Sequence, residues 1–196
     1  MNLPYSQKLP IQKLASVFGS TSASYKFYWL IALIELVEEE NIEIPKRKIF
    51  SRMISNSWFT INYFKVSFGS SDQLQLIVNE LTSLEPRLKM DTSKEEVNSI
   101  LVYSENKTTK QLLNKLDDNV PHWFLSAWFP KQSKKVIYAQ SQQFENDCLY
   151  ALHRDTIQIN PIWVNFLISN AKLIKDFCYW NLSLYLQVRN PNVPDI

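Results

Sequence analysis

The chain has 196 residues, of which 21 are basic and 19 acidic, and its formal net charge is only +2 at pH 7. This balance points to no particular partner, because neither a basic arm nor an acidic tail stands out. A hydrophobic fraction of 45% excludes a disordered chain and predicts a single domain over residues 1–196. Two glycines are too few for the many tight turns of a β-sandwich or barrel, so helices are favoured.

The N-terminal segment predicts two helices, one short and one central. Apolar residues recur at helical spacing from Ile11 to Phe18, and Gly19 then provides a stop. A longer helix is predicted from about Ser22 to Glu40. Its residues are apolar nearly all round, which is typical of a buried helix. We therefore expect it to be the central helix of the domain.

The middle of the chain predicts further short helices. They are expected at Pro45–Ser57, Gln73–Leu84, Glu95–Val102 and Lys107–Leu116. The aromatic and β-branched stretch from Trp58 to Phe68 fits either a helix or a strand.

In the last third of the chain the apolar residues change from helical spacing to the alternating spacing of strands. Residues 148–152 and 156–159 fit two short strands joined by a turn, which predicts a small β-hairpin. Asn160 then caps a helix with Pro161 at its first position, and helices continue to about Val188. The predicted fold class is mostly α, a multi-helix globular domain with a small β-hairpin near residues 148–159.

Compartment and membrane contact follow from three further features. Residues 1–5 lack the basic and apolar regions of a signal peptide. The two cysteines, Cys148 and Cys178, are too few for a disulfide framework and suit a reducing compartment. The longest uncharged apolar run, Phe27 to Ile34, is too short to cross a bilayer. We expect a cytoplasmic protein with no membrane contact.

No catalytic residue, metal ligand or cofactor is predicted. Such sites need convergent histidines, cysteines or carboxylates, and the two cysteines have no metal-like spacing. His122 lies in an aromatic segment and is interpreted as a packing residue. An enzyme built around His122, Asp117 and Asp118 is the least favoured hypothesis.

Two groups of basic residues are the candidate contacts for nucleic-acid phosphates. The first contains Lys46, Arg47, Lys48 and Arg52, and the second contains Lys131, Lys134 and Lys135. The acidic run of residues 38–40 comes directly before the basic run Lys46, Arg47 and Lys48, so a simpler interpretation pairs these two runs with each other. Both interpretations stay open at this point.

Three stretches of the sequence resemble a known family. They are Leu14–Trp29 (LASVFGSTSASYKFYW), Arg52–Gly69 (RMISNSWFTINYFKVSFG) and Tyr185–Pro194 (YLQVRNPNVP). Together they resemble the N-terminal region of bacterial proteins described as HNH endonuclease domain-containing. In those longer proteins the region covers about this whole chain, and the stretch like RNPNVP leads into the nuclease motif.

The resemblance implies a role without catalysis for this chain. An HNH site needs a histidine general base and further ligands around a divalent metal, and that motif would follow Ile196. His122 and His153 lie in no such motif, so no catalytic residue is carried over. The implied function is a helical module that positions DNA or a partner for a C-terminal cutting domain. The alternative is a protein-interaction or assembly domain without nucleic-acid binding, which the balanced charge and the many aromatic residues favour.

Overall fold

Helices account for most of residues 3–19 and 23–193, which are the residues that the computed structural model describes. The helices are α1 (Ile11–Ser16), α2 (Tyr25–Glu38), α3 (Lys46–Asn62), α4 (Gln73–Leu84), α5 (Lys94–Tyr103), α6 (Lys107–Asn114), α7 (Pro121–Phe124), α8 (Lys134–Ser141), α9 (Pro161–Ser169) and α10 (Ala171–Arg189). The strands are β1 (Glu43–Pro45), β2 (Tyr150–Leu152) and β3 (Thr156–Ile159). The predicted mostly α fold with a small hairpin is confirmed.

Helix α2 lies at the centre of the apolar core. Its residues from Phe27 to Ile34 are each at most 1% exposed, and it packs against α3, α9 and α10. The predicted start at Ser22 lies outside the described residues, and the described helix runs from Tyr25 to Glu38. Burial of every side of α2 follows from its sequence, which offers no polar face to water.

Helix α3 includes the first part of the stretch from Trp58 to Phe68, whose sequence fitted either a helix or a strand. Trp58 continues the helix, is fully buried, and donates its indole N–H to the Lys89 carbonyl oxygen at 2.9 Å. The helix ends when the Phe64 N–H bonds back to the Phe59 carbonyl, and Lys65 then adopts a left-handed conformation with φ of 55°. The aromatic residues of this stretch are therefore divided between the core and an exposed helix end.

A third strand joins the predicted hairpin. The sheet order is β1-β3-β2 and both pairs are antiparallel, so β3 lies in the middle. Ile44 of β1 and Leu152 of β2 both stand opposite Ile157, and all three are fully buried. The sequence indicates an extended segment before Pro45, but pairing with a strand more than a hundred residues later depends on tertiary contacts.

No helix among residues 3–19 and 23–193 is long and apolar enough to cross a membrane.

Candidate functional site

Lys46, the first predicted phosphate contact, is held inside the fold. Its side chain is buried, and its ammonium lies 2.7 Å from the Asp117 carboxylate, 2.7 Å from the Tyr138 hydroxyl and 3.0 Å from the Arg154 carbonyl oxygen. An ammonium has three N–H donors, so these three acceptors use all of them. Lys46 therefore joins the start of α3 to α8 and to the β2–β3 turn, and is not free to contact a phosphate.

Two arginines of the same predicted group also have internal partners. The Arg47 guanidinium donates to the Leu101 carbonyl oxygen at 2.9 Å, near the end of α5. Arg52 lies 3.4 Å from the Glu35 carboxylate and 2.8 Å from that of Glu39. Through these contacts Arg47 joins α3 to α5, and Arg52 joins α3 to α2. Both guanidinium groups therefore stabilise the packing of the helices.

The simpler interpretation, in which residues 38–40 pair with residues 46–48, is wrong. Glu38 instead pairs with Lys175 at 2.7 Å, and Lys46 pairs with Asp117. Within the described residues, no ion pair joins the two runs. Strand β1 separates them, and Lys46 is directed to the sheet and to α8.

The two predicted basic groups meet at Asp117. Lys134 lies 2.6 Å from the Asp118 carboxylate and 3.8 Å from that of Asp117, which also holds Lys46. Burial and the Asp117 charge raise the pKa of the neighbouring Tyr138 hydroxyl to about 12. The carboxylates of the least favoured enzyme hypothesis are thus occupied by cations. Apart from Arg47, which donates to backbone carbonyls, the following predicted contacts have no carboxylate within 4 Å in the described part of the chain: Lys48, Lys131 and Lys135.

His122 and both cysteines are buried. Burial lowers the pKa of His122, whose ring packs 5.3 Å from that of Trp123. Burial raises the pKa of Cys148 to about 11 and raises that of Cys178 as well, so both thiols stay protonated at neutral pH. Within residues 3–19 and 23–193, no three His, Cys, Asp or Glu side chains form a group that could hold a metal ion.

The three stretches that carry the family resemblance meet in space at Asp72. Its carboxylate caps α4 by accepting the N–H groups of Leu74 at 3.0 Å and Gln75 at 3.2 Å. The same carboxylate accepts the Ser24 N–H at 2.8 Å and lies 3.5 Å from the Tyr185 hydroxyl. Ser24 belongs to the first stretch and Tyr185 to the third, so one buried carboxylate connects them.

The second stretch contacts the end of α10 directly. The Tyr185 hydroxyl donates to the Phe68 carbonyl oxygen at 3.0 Å. The Asn190 side-chain amide bonds to both the N–H and the carbonyl of Ser67, each at 2.8 Å. Gly69 has φ of +108°, a backbone conformation that residues with a side chain rarely adopt. A Cβ at this position would also lie 3.4 Å from the Arg189 guanidinium. We call this set of contacts the α10 junction: Ser24, residues 67–69, Asp72, Tyr185, Arg189 and Asn190.

A second feature is an exposed surface at the end of α3. Tyr63, Phe64 and Met90 are 58%, 68% and 54% exposed, and the Lys65 ammonium lies 3.5 Å from the Met90 sulfur. An open depression of about 560 Å³ lies beside them. With Lys89, an exposed cation that also lines this depression, these residues form what we call the aromatic-basic surface: Tyr63, Phe64, Lys65, Lys89 and Met90.

A third feature is an apolar stripe on the outward side of α10. It consists of the exposed side chains of Leu173, Trp180, Leu184 and Val188. These residues recur seven, four and four positions apart, which places them on one side of the helix, while its other side packs against α2.

Comparisons of this chain with known protein families, with characterised proteins and with solved structures found no match.

Proposed function

We propose that the chain is a non-catalytic helical module that precedes an HNH-type nuclease domain and positions DNA or a partner for it. Three sequence stretches resemble the N-terminal region of such proteins, and the α10 junction is the observation that supports the proposal. The stretches are far apart in sequence, yet hydrogen bonds join them to one another. A set of residues that bonds into one unit is a better basis for a family likeness than three separate fragments.

The junction also explains how such a module would hold a following domain. Asn190 and Arg189 end α10 and are fixed against residues 67–69 and the Tyr185 ring. In the longer proteins that the sequence resembles, this end leads into the nuclease segment. A chain that leaves a fixed helix end gives the next domain a defined starting direction, which a flexible linker would not.

The coding sequence downstream of Ile196 tests the proposal. We expect the reading frame to continue into a segment with closely spaced histidines and an asparagine or aspartate, because the HNH chemistry needs a base and metal ligands. A frame that ends directly after Ile196, or that continues without such a segment, would contradict the proposed covalent arrangement.

A protein-interaction or assembly role is the second candidate, and the apolar stripe on α10 supports it. Exposed apolar side chains aligned along one helix commonly form a contact surface for another protein segment. The occupant that fits the proposed function is the domain that would follow α10, because the helix that carries the stripe ends at Arg189, shortly before that domain would begin. The two candidates differ in one observable property, because an interaction domain alone has no affinity for nucleic acid.

A further inference from the structure

The aromatic-basic surface combines exposed rings with cations that have no carboxylate partner. Lys65 and Lys89 are exposed, and neither has a carboxylate within 4 Å among the described residues. Among the described residues that line the depression, Asp91 is the one acid. The surface therefore has two positive charges against one negative charge, in contrast to the nearly balanced charge of the chain as a whole.

The aromatic rings of this surface are held in place from below. The Tyr63 ring packs 5.8 Å from that of Phe59 and 5.2 Å from that of Phe64, the latter at an interplanar angle of 81°. Phe59 in turn packs against the core. A ring that is supported on one side and exposed on the other can stack a planar group without further ordering.

Lys65 occupies a backbone conformation that glycine or asparagine would adopt at lower cost. Its φ of 55° places its Cβ close to the next carbonyl oxygen. Such residues concentrate at functional sites, where the side chain is needed in that place. The left-handed turn directs the chain so that the Lys65 ammonium reaches Met90 across the surface.

We infer that the aromatic-basic surface binds single-stranded DNA. Bases stack on Tyr63 and Phe64, and Lys65 and Lys89 contact the phosphates. Unpaired bases are required because a duplex keeps its base faces stacked inside. The choice of DNA rests on the proposed function. The surface differs from the groups that the sequence indicated, since Lys46, Arg47, Arg52 and Lys134 bond within the fold.

Two variants and one matched control test the inference by fluorescence anisotropy of a labelled oligo-dT at low salt. Phe64→Ala removes a stacking ring and lowers affinity by about tenfold. Lys65→Gly removes a phosphate contact, so it lowers affinity and reduces the salt-dependence slope by about 0.7. It also relieves the left-handed turn, so the Tm rises by about 1–3 °C.

The control is Glu40→Gly. Glu40 is an exposed residue with φ of 62° after α2, outside the predicted phosphate contacts, so this variant relieves the same backbone conformation without removing a cation. We expect its Tm to rise equally and its affinity for oligo-dT to stay unchanged. Because both glycine variants keep or gain stability, a loss of binding in Lys65→Gly cannot come from unfolding.

Four results would overturn the inference. They are no binding of oligo-dT at low salt, an equal loss of affinity in Glu40→Gly, unchanged affinity in Phe64→Ala, and tighter binding of oligo-U RNA or polyglutamate than of oligo-dT. The first of these favours the interaction domain.

If the product of the whole reading frame cuts DNA while Phe64→Ala leaves oligo-dT binding unchanged, this inference fails and the proposed function stands. If oligo-dT binds as expected but the frame encodes no nuclease segment, the proposed function fails and the surface assignment stands.

Discussion

Replacing Lys46 by alanine is expected to destabilise the domain by about 3 kcal/mol. The substitution leaves the Asp117 carboxylate without its closest cation and leaves the Arg154 carbonyl oxygen without its donor. Asp117 keeps some solvent contact and a second cation in Lys134, so the loss stays at the lower end of the range for broken buried pairs. Urea denaturation followed by circular dichroism measures the free energy of unfolding.

The matched control is Lys48→Ala, two positions further along α3. Lys48 is half-buried and has no carboxylate within 4 Å in the described part of the chain. Its replacement should change the free energy of unfolding by no more than about 0.5 kcal/mol. A similar small effect for Lys46→Ala would show that the buried ion pair does not stabilise the fold. If the larger effect is found, joint replacement of residues 46–48 is unsuitable as a test of DNA binding, because it also destabilises the domain.

Replacing Asp72 by alanine is expected to cost about 3–4 kcal/mol. Loss of the α4 cap accounts for about 1–2 kcal/mol of this. The remainder comes from the Ser24 N–H, which loses its buried acceptor, and from the weaker contact with the Tyr185 hydroxyl. Asp72 is only 3% exposed, so water cannot replace these bonds without opening the α10 junction.

Ser93→Ala provides the comparison for Asp72→Ala. Ser93 caps α5 through the Glu96 N–H at 3.2 Å, but it is exposed and has no role in the α10 junction. Its loss should cost about 1 kcal/mol, the usual value for a cap alone. Thermal or urea unfolding of both variants gives the difference. Equal costs would mean that Asp72 acts only as a helix cap and that the three stretches are not joined through it.

Local sequence signals predicted much of the fold. The apolar run in α2 specified the central helix, and the predicted cap at Asn160 marked the start of α9, where its side chain accepts the Ile162 N–H. Strand β3 was predicted at its observed bounds, because a turn and alternating residues mark it locally.

Contacts between distant segments were not predictable in the same way. The pairing of β1 with β3 depends on where α3 and the hairpin pack, and periodicity carries no information about that. Lys46 and Glu38 lie near each other in sequence, yet each bonds to a partner far along the chain. Charge runs therefore gave the wrong pairing, because side-chain direction depends on the tertiary structure.

The residues of the candidate surfaces were likewise predictable only in part from the sequence. Lys65, Tyr63 and Phe64 stand in a stretch whose aromatic residues suggested either a helix or a strand, and exposure of their side chains depends on where α3 ends. The family resemblance named the residues that form the α10 junction, but it did not indicate that Asp72 joins them. Such a carboxylate could have been suspected only as a helix cap.

A plasmid-cleavage assay tests the central claim most directly. Residues 1–196 and the product of the whole reading frame are compared on supercoiled DNA with magnesium or manganese. The account predicts nicking by the whole product, abolished by a chelator, and no cleavage by residues 1–196, because it assigns the base and the metal ligands of an HNH site to the segment after residue 196. Metal-dependent cleavage by residues 1–196 that is lost in a folded His122→Ala variant would contradict the account, since it would place catalysis in this chain.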